Sequence, residues 1–269
     1  MPTREEVAYF GAGPAPLPTP VLEAGSKAFL NYEDTGLGLA EISHRSPTAT
    51  KILADTTASL VDLLDIPEDL YSVLFMHGGG SGGFSSTVHN LVAVWVEQRR
   101  REAEKELGDA EKVLERVRKQ VQEELRLDYL VTGSWSLKAS QEAARLLEPL
   151  GSDSVNVALD ARKANDGKFG KIPAEETWEL TPTRKQGGKG SAFVYYCDNE
   201  TVDGVEFPGV PAVLQDEERL VVADMSSNFI SRRVDVRKFA VIFVRPPRPP
   251  PVFPLITIAP LANADHDTI

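Results

Sequence analysis

The sequence predicts an α/β fold with a mostly parallel sheet that is covered by helices on both faces. Short apolar runs alternate with amphipathic segments along the chain, which is the pattern of strand–helix–strand units. The chain has 269 residues, of which 42% are hydrophobic and 26% charged, so it can bury a substantial core. Sheets of this kind bind ligands beyond the carboxyl ends of their strands.

The N-terminal part begins with a loop rich in glycine and proline at 10–18, followed by a predicted helix at 21–32. His44 and Arg45 precede a second predicted helix at 48–65, whose apolar residues recur at helical spacing. An arginine near a helix start can bind an anionic group through two parallel hydrogen bonds. A solvated arginine is the commoner case, so the residues alone leave both interpretations open.

A glycine-rich stretch follows a predicted strand. The apolar run 73–76 leads into five glycines between positions 78 and 83, interrupted by Ser81, and apolar residues then recur at helical spacing. Glycines allow a ligand to approach the backbone, and a helix start favours a phosphate group. Such turns also occur without a ligand, and this one lacks the spacing of a Walker A loop or a dinucleotide site.

Residues 97–127 are strongly charged and form a predicted helical insertion. One narrow apolar stripe runs along it, made by Leu107, Leu114, Val117, Val121 and Leu125. The pattern predicts a projecting amphipathic helix that breaks near Gly108 and packs on the domain through this stripe.

The α/β alternation then resumes. Strands are predicted at 129–132, 155–159, 192–197 and 219–224, with a helix at 137–147 and the beginning of a further strand at 236–243. Carboxyl ends of parallel strands share one edge of a sheet. We therefore expect the glycine stretch, Trp135, Thr201 and Asp224 to lie at the same edge.

The C-terminal part is rich in proline. Proline removes a backbone donor and breaks ladders, so the sequence predicts that the last strand ends at Phe243 and that 244–269 is an extended, poorly ordered tail. The run of arginines and prolines in this tail could be the ligand of a proline-binding module. An accidental tail is the alternative.

Charge and cysteine content exclude several classes. The net charge of −11 argues against a nucleic-acid-binding protein. The single cysteine, Cys197, excludes an internal disulfide and suits a reducing compartment, and we find no signal peptide or membrane-spanning run. The expected location is cytoplasmic. His77 and His89 lack the spacing of metal ligands, so no metal is expected.

Six segments in fixed order carry a resemblance. They are FGAGPAPLP at 10–18, SHRS at 43–46, HGGGSGGF at 77–84, TGSWS at 132–136, CDNETVDGVEF at 197–207 and ADMSSNF at 223–229. Together they resemble the phosphoserine aminotransferases, class V members of the fold-type I enzymes that use pyridoxal phosphate. The resemblance implies that 1–243 is the large cofactor-binding domain of this family, incomplete at its C-terminus.

The resemblance also implies roles for individual residues. The reaction would transfer an amino group between L-glutamate and 3-phosphohydroxypyruvate in L-serine biosynthesis, and the family is homodimeric. The implied cofactor-binding residues are Gly80 and Ser81 at the phosphate, Trp135 on the ring face, Thr201 near the phenolic oxygen and Asp224 at the pyridinium nitrogen. The implied substrate-binding residues are Arg45, His44 and the backbone of Ala12.

The chain departs from the family after Phe243. The family continues into a segment whose lysine forms the Schiff base with the cofactor, and the proline-rich tail stands in its place. Arg248 is nearest to that lysine by counting, but a guanidinium cannot form an imine, and Lys238 lies before the predicted turn. We therefore assign no catalytic residue and expect a truncated, inactive chain. The alternative is a non-catalytic homologue that binds the cofactor or a phosphate, or that binds a partner through its tail.

Overall fold

The computed structural model describes residues 2–9, 16–151, 153–245 and 255–260. The chain divides into two compact units, Met1–Pro67 and Glu68–Ile269. The first unit contains helices α1 (Thr19–Leu30) and α2 (Pro47–Leu64). The N-terminus of α2 is capped by Ser46, whose hydroxyl accepts a hydrogen bond from Ala49 N at 3.1 Å. No residue of α1 is buried.

The second unit contains the sheet. Its helices are α3 (Gly79–Leu107), α4 (Ala110–Glu124) and α5 (Ser134–Leu147). Its strands are β1 (Tyr71–Met76), β2 (Leu127–Val131), β3 (Val155–Asp160), β4 (Phe193–Cys197), β5 (Asn199–Glu200), β6 (Val205–Glu206), β7 (Val221–Asp224), β8 (Val241–Val244) and β9 (Leu255–Pro260). No helix in the described part of the chain is both long and apolar enough to cross a membrane.

In the described part of the chain, seven strands form one sheet in the order β1-β9-β8-β7-β4-β2-β3, and β5 pairs with β6 as a separate short hairpin. The pairs from β8 to β3 are all parallel, whereas β9 is antiparallel to both of its neighbours. Strand β1 therefore runs in the same direction as β8. The carboxyl ends of all strands of this sheet except β9 lie at one edge. This confirms the predicted α/β fold with a mostly parallel sheet.

The core lies between the sheet and helices α3 and α5. Aromatic residues of the strands fill it, and Phe84 of α3 meets the ring of Tyr195 edge-on at 5.5 Å. Side chains alternate between the faces of a strand, so Tyr196 points to the other face, where its ring lies 4.9 Å from that of Phe207. Both faces of β4 are therefore buried, as a central parallel strand requires.

The charged insertion forms a helical hairpin. Helix α3 ends at Leu107, Gly108 adopts a φ of +64°, and Asp109 caps α4 by accepting a hydrogen bond from Lys112 N at 3.0 Å. The break was predicted correctly, but the stripe was partly wrong. Val113 and Val117 are buried with Ala103, while Leu107 and Leu114 are exposed, because α4 packs on α3 through the face that carries Val113 and Val117.

The predicted tail is corrected in part. Strand β8 extends to Val244, one residue beyond the predicted end, and Leu255–Pro260 forms β9 between β1 and β8. Ile258 is buried and faces Val73 of β1 and Ile242 of β8. Prolines nearby in the sequence predicted an irregular tail, but Leu255–Pro260 forms a strand. Its hydrogen bonds to β1 and β8 and the burial of its β-branched side chains stabilise this segment. Residues 246–254, including Arg248, and 261–269 lie outside the described residues.

Candidate active site at the carboxyl edge of the sheet

Helix α3 begins with its backbone donors unpaired. Gly78 precedes it with a φ of +102°, and the first helical bond in this turn joins Gly82 N to Gly78 O at 3.1 Å. Among the described residues, no acceptor pairs with the N–H groups of Gly79, Gly80 and Ser81. The glycines thus form the first turn of α3 and not the separate turn that was predicted. Unpaired donors at a helix start make an anion site.

The neighbourhood of Gly80 is narrow. A Cβ atom added at Gly80 would lie 3.1 Å from Cδ of Arg245, which follows β8. The backbone N–H of Arg245 donates to Ser226 Oγ at 2.9 Å. The start of α3 therefore adjoins the residues after β7 and β8, and only a residue without a side chain fits at position 80 without displacing Arg245.

Helix α5 begins with its backbone donors occupied. Glu200 accepts from Trp135 N at 2.9 Å and from Ser136 N at 2.8 Å, and Asp203 accepts from Ser134 N at 2.6 Å. Both carboxylates belong to the hairpin of β5 and β6 and its turn. Carboxylates near a helix N-terminus are stabilised by the macrodipole. This helix start is consequently closed to an external anion.

Asp224 ends β7 between these two helix starts. Its Oδ1 accepts from Ser226 N at 2.9 Å. Burial raises the pKa of Asp224, the hydrogen bonds from Ser226 oppose this, and the negative charge of Glu200 raises the pKa further. Burial also raises the pKa of the neighbouring Cys197 thiol, which lies 3.3 Å from the hydroxyl of Tyr195. Asp224 is thus a partly buried carboxylate that forms no ion pair with any described residue, and it is suited to pair with a cationic group.

A polar network ties the hairpin to the loop after β7. The amide of Asn228 donates to Asp198 Oδ2 at 2.5 Å and to Glu206 Oε1 at 2.9 Å. Arg232 forms an ion pair with Asp198 and donates to Phe207 O at 2.5 Å. Burial raises the pKa of Asp198, and the hydrogen bond from Asn228 opposes this increase. The network fixes the hairpin that carries Glu200 and Thr201.

The residues expected at one edge lie there. Gly80 and Ser81 are in the first turn of α3, Trp135 is in the first turn of α5, and Asp224 ends β7. Thr201 follows β5 in the hairpin turn and is exposed. Their proposed roles remain predictions. No group of three or more His, Cys, Asp or Glu side chains that could hold a metal ion occurs in the described ranges.

The other expected residues lie elsewhere in the chain. His44 and Arg45 occupy an exposed turn before α2 in the first unit, and Arg45 N donates to Ser43 Oγ at 3.2 Å. Ala12 lies outside the described residues. Lys238 is in a 3₁₀ helix, Val236–Lys238, and not on the strand as predicted. It precedes the amino end of β8, so it lies at the opposite edge of the sheet, and its Nζ donates to Gln215 at 3.1 Å.

Sequence reasoning missed Glu200 and Asp203. Both carboxylates act on a helix more than sixty positions away in the chain, so no local pattern identifies their partners. A Cβ added at Gly133 would lie 2.5 Å from Cδ of Glu200, which explains why the residue before α5 is a glycine.

Known proteins resemble this chain in both sequence and structure, although no family model matches it. Phosphoserine aminotransferase from Saccharomyces cerevisiae is 43% identical over 240 residues, which are 89% of this chain and 53% of the yeast protein. The enzyme of that name from Drosophila melanogaster is 38% identical over 237 residues, or 88% of this chain and 52% of its own length. The PLP-bound phosphoserine aminotransferase from Trichomonas vaginalis has a TM-score of 0.65 at 30% identity and matches 93% of this chain and 57% of its own.

The chain is a homologue of the phosphoserine aminotransferases. Its fold is that of the fold-type I aminotransferases that use pyridoxal phosphate, as the sequence predicted. The chain spans about half the length of the phosphoserine aminotransferases that it matches.

Proposed function

We propose that this chain binds pyridoxal 5′-phosphate at the carboxyl edge of its sheet. We further propose that it belongs to an enzyme that transfers an amino group between L-glutamate and 3-phosphohydroxypyruvate in L-serine biosynthesis. One observation carries the proposal: the three unpaired N–H groups at the start of α3 share an edge with a carboxylate, Asp224, that has no cationic partner in the described contacts. A phosphorylated pyridinium ring complements these two features.

The phosphate would bind at the start of α3. The N–H groups of Gly79, Gly80 and Ser81 and the exposed hydroxyl of Ser81 are donors, and the partial positive charge of the helix favours a dianion. The glycine backbone permits close approach. The start of α5 cannot compete for the phosphate, because Glu200 and Asp203 occupy its donors and would repel an anion.

The ring would lie between Trp135 and the end of β7. Asp224 would accept the ring N–H and hold that proton, and the indole of Trp135, which is 43% exposed, offers a face for stacking. Thr201 would donate its hydroxyl to the phenolic oxygen. When bound, the cofactor supplies an electron sink for the negative charge that develops at the α-carbon of the substrate.

We propose that Arg45 and His44 bind an anionic group of the substrate. Arg45 and His44 are exposed and carry the donors that an anionic carboxylate or phosphate requires. We propose this role for them, and for the backbone of Ala12, from their match to the family motifs. We also propose a cytosolic location, in which the buried thiol of Cys197 stays reduced.

The alternative function of a tail that recruits partners is less well supported. Leu255–Pro260 pairs with β1 on one side and β8 on the other, so this part of the proline-rich region belongs to the sheet. The run of arginines and prolines that a proline-binding module would recognise lies mostly at 246–251, outside the described residues.

A binding titration tests the cofactor proposal. We expect the purified chain to bind pyridoxal phosphate reversibly, with a dissociation constant on the order of 10–100 µM. Pyridoxal, which lacks the phosphate, should bind at least about tenfold more weakly, because the donors at α3 would then be unused. Equal affinity for both compounds would contradict the proposed phosphate site.

Borohydride treatment tests the prediction that the lysine segment of the family is replaced. The chain is incubated with the cofactor, reduced with borohydride, digested and mapped by mass spectrometry. We expect no lysine to carry the cofactor at stoichiometric yield. Stoichiometric labelling of one lysine in 68–245 would show that another residue has taken over the covalent role, and it would contradict the expectation that the Schiff-base lysine is absent.

A further inference from the structure

Glu200 is a fully buried carboxylate that contacts the first turn of α5. Its relative exposure is 0%, and its two oxygens accept from the backbone N–H groups of Trp135 and Ser136. Backbone bonds of the hairpin turn hold it, because Gly204 N donates to Glu200 O at 2.8 Å. Its side chain also lies against Gly133, where a Cβ would come within 2.5 Å of it. Glu200 therefore has little freedom to move.

The indole of Trp135 lies partly in solvent. It is 43% exposed, and the described contact with its ring is Nζ of Lys138, which lies 4.6 Å from the ring centroid. Packing holds a partly exposed ring less firmly than a buried one, so the backbone at the start of α5 contributes to its direction. Glu200 holds that backbone at the N–H of Trp135 itself.

On the basis of the cofactor site proposed above, we infer that Glu200 is a positioning residue that orients Trp135 for stacking on the cofactor ring. It acts through the backbone of Trp135 and does not need to touch the cofactor. Its charge is buried, but the macrodipole and two charge-assisted hydrogen bonds stabilise it at this helix start.

The substitution Glu200→Gln tests this role. It keeps the shape of the side chain, but it removes the charge and turns one acceptor into a donor that faces a backbone N–H. Glu175→Gln is the matched control, because Glu175 accepts from Ala212 N at 3.0 Å and Val213 N at 2.8 Å at a different helix start. Each variant is titrated with pyridoxal phosphate, and the circular dichroism induced in the absorption band of the cofactor is recorded.

We expect Glu200→Gln to raise the dissociation constant about fivefold to tenfold and to weaken the induced circular dichroism per bound cofactor. Glu175→Gln should change the dissociation constant less than about twofold. In a Trp135→Ala background, Glu200→Gln should have no further effect, because the ring that it positions is absent. Glu200→Asp, which keeps the charge with a shorter reach, should restore part of the signal, and it replaces Glu200→Gln if that variant does not fold.

The outcomes separate the positioning role from the cofactor site. If the wild-type chain does not bind pyridoxal phosphate, the proposed function fails and the role of Glu200 fails with it. If the wild-type chain binds and Glu200→Gln binds equally well with the same induced signal, only the positioning role is overturned. An equal loss of affinity with and without Trp135 would also overturn it, since Glu200 would then act on the fold in general.

Discussion

The starts of α3 and α5 lie at the same edge of the same sheet, yet they present opposite electrostatic surfaces. Each helix follows a parallel-type strand, and each has a serine at its third position, Ser81 in α3 and Ser136 in α5. At α3 the backbone donors face outward without acceptors. At α5 the donors are paired with Glu200 and Asp203, and Ser136 Oγ accepts from Thr132 N at 3.0 Å.

This difference shows how one fold separates two tasks. A helix start with free donors binds an anion, whereas a helix start closed by carboxylates repels it and becomes a rigid support. The first suits the phosphate of the cofactor, and the second suits the indole of Trp135. The strand-to-helix connection alone does not decide which task a helix performs. What distinguishes the two helices is whether a carboxylate from another part of the chain pairs with the backbone donors at the helix start.

Making α3 resemble α5 should have the largest effect. Ser81→Asp places a carboxylate at the open helix start, where it can pair with the free donors and repel a phosphate. We expect affinity for pyridoxal phosphate to fall roughly 100-fold, or by about 2.7 kcal/mol, while affinity for pyridoxal is unchanged. Competition titrations with both compounds measure this.

Ser86→Asp is the control for the added charge. Ser86 is on the same helix, five residues further along and beyond the first turn, where the field of the helix start is weaker. Its substitution should change the affinity for pyridoxal phosphate less than about threefold. A comparable loss in both variants would mean that net charge, and not the start of α3, governs binding.

The paired substitutions Ser136→Ala and Ser81→Ala compare the two helix starts by stability. Ser136 is buried, and its loss leaves the N–H groups of Thr132 and Gly133 without their acceptor, so we expect a cost of about 2 kcal/mol in the free energy of unfolding. Ser81 is exposed and has no described partner, so its loss should change stability by less than about 0.5 kcal/mol. Urea unfolding of the chain without cofactor measures both. Equal costs would remove the distinction between an open and a supported helix start.

The sequence predicted the strands and their shared edge well, because apolar runs and helical spacing are local signals. It placed the start of α3 too late, since glycine has a poor helix propensity and the run of glycines indicated a turn. Packing of Phe84, Val88 and Val92 on the sheet extends the helix back to Gly79. Tertiary contacts therefore decided where this helix begins.

Features that depend on distant partners could not be predicted. Strand β9 was missed because its ladder involves β1, more than 170 positions earlier, and prolines dominate the local pattern. Glu200 was part of a recognised motif, yet its hydrogen bonds to α5 become visible only when the hairpin is folded against the helix. The candidate residues could be named from sequence, whereas the contacts that support them could not.

Removing the indole separates ring binding from phosphate binding. Trp135→Ala should weaken affinity for pyridoxal phosphate about tenfold, because stacking and the associated burial are lost. Trp135→Phe should retain most of the affinity. Binding of inorganic phosphate, measured by competition, should be unchanged in both variants, since it depends on α3. A parallel loss of phosphate affinity would show that the two helix starts do not act independently.

The smallest expected effect concerns Asp224, which lies between the two helix starts. Burial raises its pKa, so the folded chain holds this proton more tightly than the unfolded chain, and ionisation destabilises the fold as pH rises. Asp224→Asn has no proton to lose and keeps an acceptor for Ser226 N. In the chain without cofactor, we expect this variant to melt roughly 2 °C higher than wild type at pH 8, with the difference shrinking towards pH 4.

Asp160 at the end of β3 provides a control of opposite sign. Hydrogen bonds from Arg162 lower the pKa of Asp160, so its ionised form stabilises the fold above the ordinary pKa of an aspartate, and this contribution is lost as pH falls. Asp160→Asn should therefore melt below wild type at pH 8 and approach it at low pH. Thermal melts of both variants between pH 4 and 8 should diverge in opposite directions as pH rises. If Asp224→Asn instead melted below wild type at pH 8, the free protein would already stabilise the ionised carboxylate. That result would contradict the proposal that Asp224 lacks a cationic partner until the cofactor binds.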